Sequence, residues 1–155
     1  MPATLELLPA VQADYPTLAA IGREAFRADA LAYGKGPDIY ENPAFLLPLL
    51  RDEPGCVRKL AAGGQTIGLI VTYARTAASR WLGCICLLPS WQGLGYGLEA
   101  VRLLEAAYPD VRQWGLDTPA ASEKNRRFYQ KAGYRAVDES EPWPGFRLTV
   151  YEKRL

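Results

Sequence analysis

Gln92-Gly93-Leu94-Gly95-Tyr96-Gly97 is the stretch that decides how this 155-residue chain is read. It follows an apolar run, Trp81–Leu88, that reads as a strand ended by Pro89. It opens a helix running from Leu94 or Gly95 to Tyr108, with Val101, Leu104 and Ala107 at core spacing. Three glycines at alternate positions are costly where a helix begins. They let backbone N–H groups come close to an anion at the positive end of that helix. The plain structural alternative is a glycine-rich strand-to-helix turn with no ligand.

On the N-terminal side, Thr4–Leu8 alternates weakly as a first strand. Asp14 as N-cap, Pro16 in the first turn and Leu18, Ile21 and Ala25 predict a helix over Tyr15–Phe26. Two glycines and a proline make Tyr33–Tyr40 a loop, and Asn42-Pro43 starts a short helix ending near Leu50. Cys56–Ala62 and Gln65–Ala74 flank Gly63-Gly64, a strong hairpin signal. On the C-terminal side, Val111–Asp117 reads as a strand. Ser122 caps a helix over Glu123–Ala132, and Gly133 stops it. Tyr134–Asp138 and Phe146–Lys153 close the chain as strands around the loop Glu141-Pro-Trp-Pro-Gly145. The element order is that of a mixed α/β layer and not of a strictly alternating array.

A second motif lies about thirty residues after the first. In Asn125-Arg-Arg-Phe-Tyr-Gln-Lys-Ala-Gly-Tyr134, a helix carries Phe128 beside Tyr129, and Gly133-Tyr134 follows. Together the two motifs resemble the acyl-CoA signature of the GNAT N-acetyltransferase superfamily, with Gln92, Gly95 and Gly97 matching its glycine motif. The resemblance extends over nearly the whole chain and implies one domain over residues 1–155. The fold it implies is α/β, a central mixed, twisted sheet of about seven strands flanked by about four helices. That sheet is expected to splay between Trp81–Leu88 and Val111–Asp117.

The function implied by the resemblance is acetyl transfer from acetyl-CoA directly to a primary amine of a small molecule or peptide. The CoA contacts it implies are Ile85, Cys86 and Leu87 on the strand, pairing with pantetheine as an added strand would. Gln92, Gly93, Leu94, Gly95, Tyr96, Gly97 and Leu98 follow in the turn, then Asn125 and Phe128 in the later helix. Tyr129 is the candidate acid for the departing thiolate, against the alternative of a core tyrosine. Asp117 is the candidate base, against a plain turn-capping role. The family often has an asparagine seven residues before the tyrosine. Here that place is Ser122, and the resemblance leaves open whether Asn125, four residues before Tyr129, takes over that CoA contact. Tyr33, Tyr40 and Trp143 fall in the segments that wall the acceptor site in this family. Asp38, Glu41, Glu139 and Glu141 accompany them, which suits a cationic amine or an ordinary charged surface. Lys124, Arg127 and Lys131 share a helical face that could meet CoA phosphates, though a solvated face explains them as well.

Two other readings stay open in the sequence. Gly95-Tyr-Gly-Leu-Glu-Ala100 also fits a dinucleotide fingerprint, with Asp117 as its ribose acid. Against it, five residues separate the strand from Gly-Leu-Gly, and too little chain follows to complete a doubly wound sheet. A non-catalytic acyl-CoA sensor would use the same glycine turn.

Composition narrows the classes. A net charge of +1 provides no field for nucleic acid or an anionic membrane, and no apolar run approaches the length of a membrane span. Met1-Pro-Ala-Thr-Leu-Glu6 has neither region of a signal peptide, which points to the cytoplasm. There is no histidine, so acid–base chemistry falls to carboxylates, tyrosine, lysine or water, and no metal is expected. Cys56, Cys84 and Cys86 read as buried thiols, with Cys84 and Cys86 on one face of their strand. A homodimer is left open.

Overall fold

The computed structural model describes residues 3–27, 43–53 and 55–155. Its strands are β1 (Glu6–Pro9), β2 (Val57–Ala62), β3 (Gln65–Ala74), β4 (Ser79–Leu87), β5 (Gln113–Pro119), β6 (Arg135–Trp143) and β7 (Phe146–Arg154). The α-helices are α1 (Tyr15–Ala25), α2 (Pro43–Asp52), α3 (Tyr96–Ala107) and α4 (Glu123–Lys131). The strands form a seven-stranded sheet in the order β1-β2-β3-β4-β5-β7-β6. It is mixed: β4 and β5 are parallel, while β1–β2, β2–β3, β5–β7 and β6–β7 are antiparallel. This is not a doubly wound sheet, so the dinucleotide reading of Gly95–Ala100 loses its structural context. By packing, the chain divides into two compact units. One holds Met1–Val71 and Cys84–Leu103, the other Thr72–Gly83 and Leu104–Leu155.

In the first unit, Gly63 and Gly64 both take positive φ (59° and 78°), as a two-residue hairpin turn between twisted strands requires. The run Ile67-Gly-Leu-Ile-Val71 is buried throughout, the pattern of a strand covered on both faces. α1 buries Leu18, Ala19, Ile21 and Gly22. Asp14 precedes α1 but does not cap it with its side chain. A 3-10 turn, Gln12–Asp14, runs straight into the helix, and the carboxylate instead accepts the Val11 N–H at 2.8 Å and meets Lys59 Nζ at 3.3 Å. Tyr96, Ala100 and Val101 continue this core along α3.

In the second unit, Leu104 carries the buried face of α3 onward, but Ala107 is exposed, contrary to its helical spacing. The next position toward the core is Tyr108, whose ring meets the fully buried Trp114 edge-on at 5.8 Å. Several boundaries also move. β1 starts two residues after Thr4, β4 two before Trp81, and β5 spans Gln113–Pro119. The largest difference is at the end of the chain. The loop expected over Glu141–Gly145 is mostly strand, because Pro144-Gly145 alone makes the turn, with Gly145 at φ 85° and Trp143 paired to Phe146. Glu141 accepts the Gly145 N–H at 3.1 Å and helps to close it.

Candidate active site

The first unit holds the end of β4, the glycine turn and the start of α3. Leu88 donates its N–H to Ile67 O at 2.8 Å, and peptide groups alternate along a strand. Cys86 therefore turns its peptide toward β3, where a Cβ on Gly68 would lie 2.2 Å from its carbonyl oxygen. Ile85 and Leu87 turn theirs to the opposite edge. Of the three strand residues named for CoA, Cys86 thus has its peptide on the β3 side. Both Cys84 and Cys86 side chains are buried. Gln92 donates from Nε2 to Leu87 O at 2.9 Å, so its side chain ties the turn to the strand end.

Past the 3-10 turn Pro89–Trp91, Gly93 and Gly95 take φ of 73° and 92°, where a Cβ would be strained. Gly97 lies inside α3 with no such demand. Gly95 O accepts the Glu99 N–H at 3.2 Å, which makes Gly95 the N-cap and leaves the N–H groups of Tyr96, Gly97 and Leu98 beyond intrahelical reach. These donors, with the helix dipole behind them, fit an anionic group. The Tyr96 side chain points elsewhere. It is fully buried, its hydroxyl both accepts from Ala3 N and donates to Ala3 O (3.1 Å each), and its ring meets Trp91 at 5.4 Å. Only its backbone is left for a ligand. Leu94 and Leu98 are exposed beside the turn. Arg102 pairs with Glu99 in the first turn and holds that carboxyl below its ordinary pKa.

The second unit holds β5 and α4. The parallel ladder between β4 and β5 has three rungs and ends at Trp81–Gly115. There the Trp81 ring fills the space of the missing Cβ, 2.9 Å from where that atom would be, and Arg75 stacks over the ring at 4.0 Å. Asp117 is two residues further along β5, paired with Val150 and exposed on one side, so it sits within a strand and not in a capping turn. Partial desolvation raises its pKa above the ordinary carboxylate value, and the Arg75 charge opposes that shift. Thr118 is buried and accepts from Asn125 Nδ2 at 2.8 Å. Ser122 caps α4 by accepting the Asn125 N–H at 3.3 Å. Asn125 thus joins the helix to the strand.

Tyr129 is half-buried in α4 among three rings: Phe128 at 5.0 Å, Tyr134 at 5.8 Å and Tyr151 at 6.0 Å. Its carbonyl accepts the Tyr134 N–H at 2.9 Å. Tyr134 is 4% exposed, and its hydroxyl has no hydrogen-bond partner among the described residues. Burial, and secondarily Glu105, push that phenol well above its ordinary pKa. Lys124, Arg127 and Lys131 are exposed, and Arg127 lies 3.9 Å from Glu123.

Of the acceptor-site residues, Tyr33 and Tyr40 lie outside the described residues, as do Asp38 and Glu41. Trp143 is exposed at the tip of the β6–β7 hairpin, stacked on Phe146 at 4.4 Å. Glu139 is paired with Arg147, both exposed. Sequence reasoning missed Trp81, Arg75, Thr118, Glu105 and Lys153. An isolated glycine inside a strand, Gly115, was the one available signal of a close approach.

The sequence matches the acetyltransferase (GNAT) family over residues 20–134, and the chain belongs to that family of acyltransferases. No curated protein sequence matches it. An acetyltransferase from Thermus thermophilus superposes with a TM-score of 0.80 at 24% identity, covering 98% of this chain and 97% of that one. PaiA N-acetyltransferase from Thermoplasma acidophilum, in complex with coenzyme A, superposes at 0.78 with 17% identity, covering 98% and 99%. The ribosomal-protein-S18-alanine N-acetyltransferase from Escherichia coli gives 0.71 at 14% identity, covering 97% and 94%. At these identities the structures speak to the fold.

Proposed function

We propose that this acyltransferase moves the acetyl group of acetyl-CoA directly to a primary amine of a small molecule or peptide. The observation that carries the reading is the glycine turn. Two residues with positive φ, Gly93 and Gly95, lead into the open N–H groups of α3 in a chain of the GNAT family. The CoA pyrophosphate suits these donors. Ile85 offers an outward-facing N–H and carbonyl to a pantetheine arm and Leu87 its N–H, the Leu87 carbonyl being held by Gln92. Phe128 and Asn125 are assigned to the cofactor on resemblance. PaiA N-acetyltransferase, similar in fold, has been seen with coenzyme A.

In the proposed reaction the amine nitrogen attacks the acetyl carbonyl and the C–S bond breaks. The leaving thiolate takes a proton from the Tyr129 hydroxyl, and the new amide nitrogen loses one to Asp117 or water. The products are the N-acetylated acceptor and CoA, with the tyrosinate reprotonated from solvent. No covalent acyl-enzyme forms on Cys84 or Cys86. Trp143, with Tyr33 and Tyr40, is proposed to face the acceptor. Among the described residues no helix is long and apolar enough to cross a membrane. A reducing, cytoplasmic setting suits the buried side chains of Cys84 and Cys86.

The test uses Gly97→Asp, because a side chain at Gly95 would be strained by its φ of 92°. An aspartate in the first turn suits the helix dipole and keeps α3 folded, yet puts negative charge where the pyrophosphate should bind. Acetyl-CoA and CoA should raise the melting temperature of the parent protein, and NAD should not. Gly97→Asp should melt normally and lose the CoA shift. A CoA shift that survives in this variant would remove the glycine turn from the proposal.

A further inference from the structure

We propose that Lys153 and Glu105 form a partly buried ionic node that positions Tyr129, an inference resting on the acid role assigned above. Lys153, on β7, donates to Glu105 Oε1 on α3 at 2.7 Å and to Ala132 O at 2.6 Å. The two side chains are 20% and 16% exposed. Ala132 is the C-cap of α4, so one ammonium binds both a carboxylate and the end of the helix that carries Tyr129. Gly133, at φ 96°, brings the chain against the lysine stem. A Cβ there would lie 3.1 Å from Lys153 Cε.

The node reaches Tyr129 by two routes. Along the backbone, the Ala132–Gly133 turn delivers Tyr134, whose N–H donates to Tyr129 O. Through the rings, Lys153 Nζ lies 5.9 Å from the Tyr134 ring centroid, and Tyr134 packs on Tyr129. Even a partly buried ion pair is a poor source of stability, because desolvating two charges offsets their attraction. What it supplies is direction. Ammonium donors aimed at Glu105 and Ala132 O hold α4 in one axial position, which an apolar side chain of equal volume cannot do. A general acid displaced by about 1 Å costs on the order of 10²-fold in rate.

The experiment separates position from stability. Glu105→Leu/Lys153→Met removes both charges while keeping the methylenes under Gly133. It should melt near or above the parent, retain the KM for acetyl-CoA, and lose about 10- to 100-fold in kcat. Acetyl-CoA hydrolysis is the assay, since water as acceptor expels the same thiolate. With 3-fluorotyrosine at position 129, the single ¹⁹F line of the parent should broaden or split. Glu105→Gln, which keeps an acceptor for Lys153, should retain both the line and the rate. Lys153→Arg is the second probe if the double variant folds poorly. It keeps the charge but presses a larger planar group on Ala132 O, and should show the same kcat loss at constant KM. Parental kcat and an unchanged ¹⁹F line in a folded variant, with Tyr129→Phe slow, would overturn the node and leave the acid role standing. Full rate in Tyr129→Phe would remove the acid role and this inference with it.

Discussion

Gly68 has no side chain because the Cys86 carbonyl oxygen occupies its place: a Cβ there would lie 2.2 Å from that atom and 3.0 Å from Leu87 Cδ2. The obstacle is backbone, so it cannot swing aside as a long side chain would. Gly68→Ala should force β3 and β4 apart where Leu88 bonds Ile67, at a cost of about 1–3 kcal/mol. Because Ile85 and Leu87 share that strand, affinity for acetyl-CoA should fall as well. Denaturant melts and calorimetric CoA titration would read both. A variant with parental stability would mean the strands have slack that this geometry does not show.

Tyr96 belongs to the cofactor turn by sequence position but spends its hydroxyl on Ala3. Tyr96→Phe keeps the ring against Trp91 and removes the two bonds to that segment. We expect a loss on the order of 1 kcal/mol in stability, with the affinity for CoA unchanged. A variant that melts normally but binds CoA weakly would return the phenol to the ligand.

Asp117 yields a prediction whose sign can be worked out. Its pKa in the folded protein lies above the ordinary 3.8, chiefly through desolvation. The folded state therefore holds this proton more tightly than the unfolded one. Stability falls as pH rises from about 3.8 through the folded-state value, and the loss persists above it. Asp117→Asn carries no such penalty. It should melt slightly higher than the parent at neutral pH, by a margin that vanishes in acid and stays small because the carboxylate is exposed. If Asp117 is also the base, the same variant should lose rate on the alkaline side of the pH profile. Full rate at every pH would assign that proton to water.

Tyr129→Phe tests the acid role directly. The ring keeps its contacts with Phe128, Tyr134 and Tyr151, so melting temperature and CoA affinity should change little. Single-turnover acetyl transfer should slow by about 10²–10⁴. Near-normal chemistry would leave the thiolate to be protonated by water or another group.

The local signals were legible because they rest on short-range chemistry. Gly63-Gly64 could only be a tight turn, Ser122 carried the capping oxygen for α4, and Gly133 marked the positive φ that ends it. Pro144-Gly145 was equally local, but it was overshadowed by Glu141 and Pro142, which disfavour strands and so hid the second half of β6. Asp14 failed as a cap for a similar reason, since a turn before the helix put its carboxylate on the Val11 N–H instead.

The family motifs and the periodicities of strand and helix were enough, from the sequence by itself, to define the class of fold, the glycine turn and Tyr129 as the residue to watch. Both periodicities repeat within a few residues, and a glycine's freedom belongs to the glycine alone. Which way a peptide or side chain faces depends on partners far along the chain, and only the tertiary structure decided that. It turned Cys86 toward Gly68, sent the Tyr96 hydroxyl to Ala3, placed Trp81 over Gly115, and set Lys153 between Glu105 and the end of α4. Nothing within four residues of any of these positions specifies its partner, because the contact exists only once the strands and helices have packed.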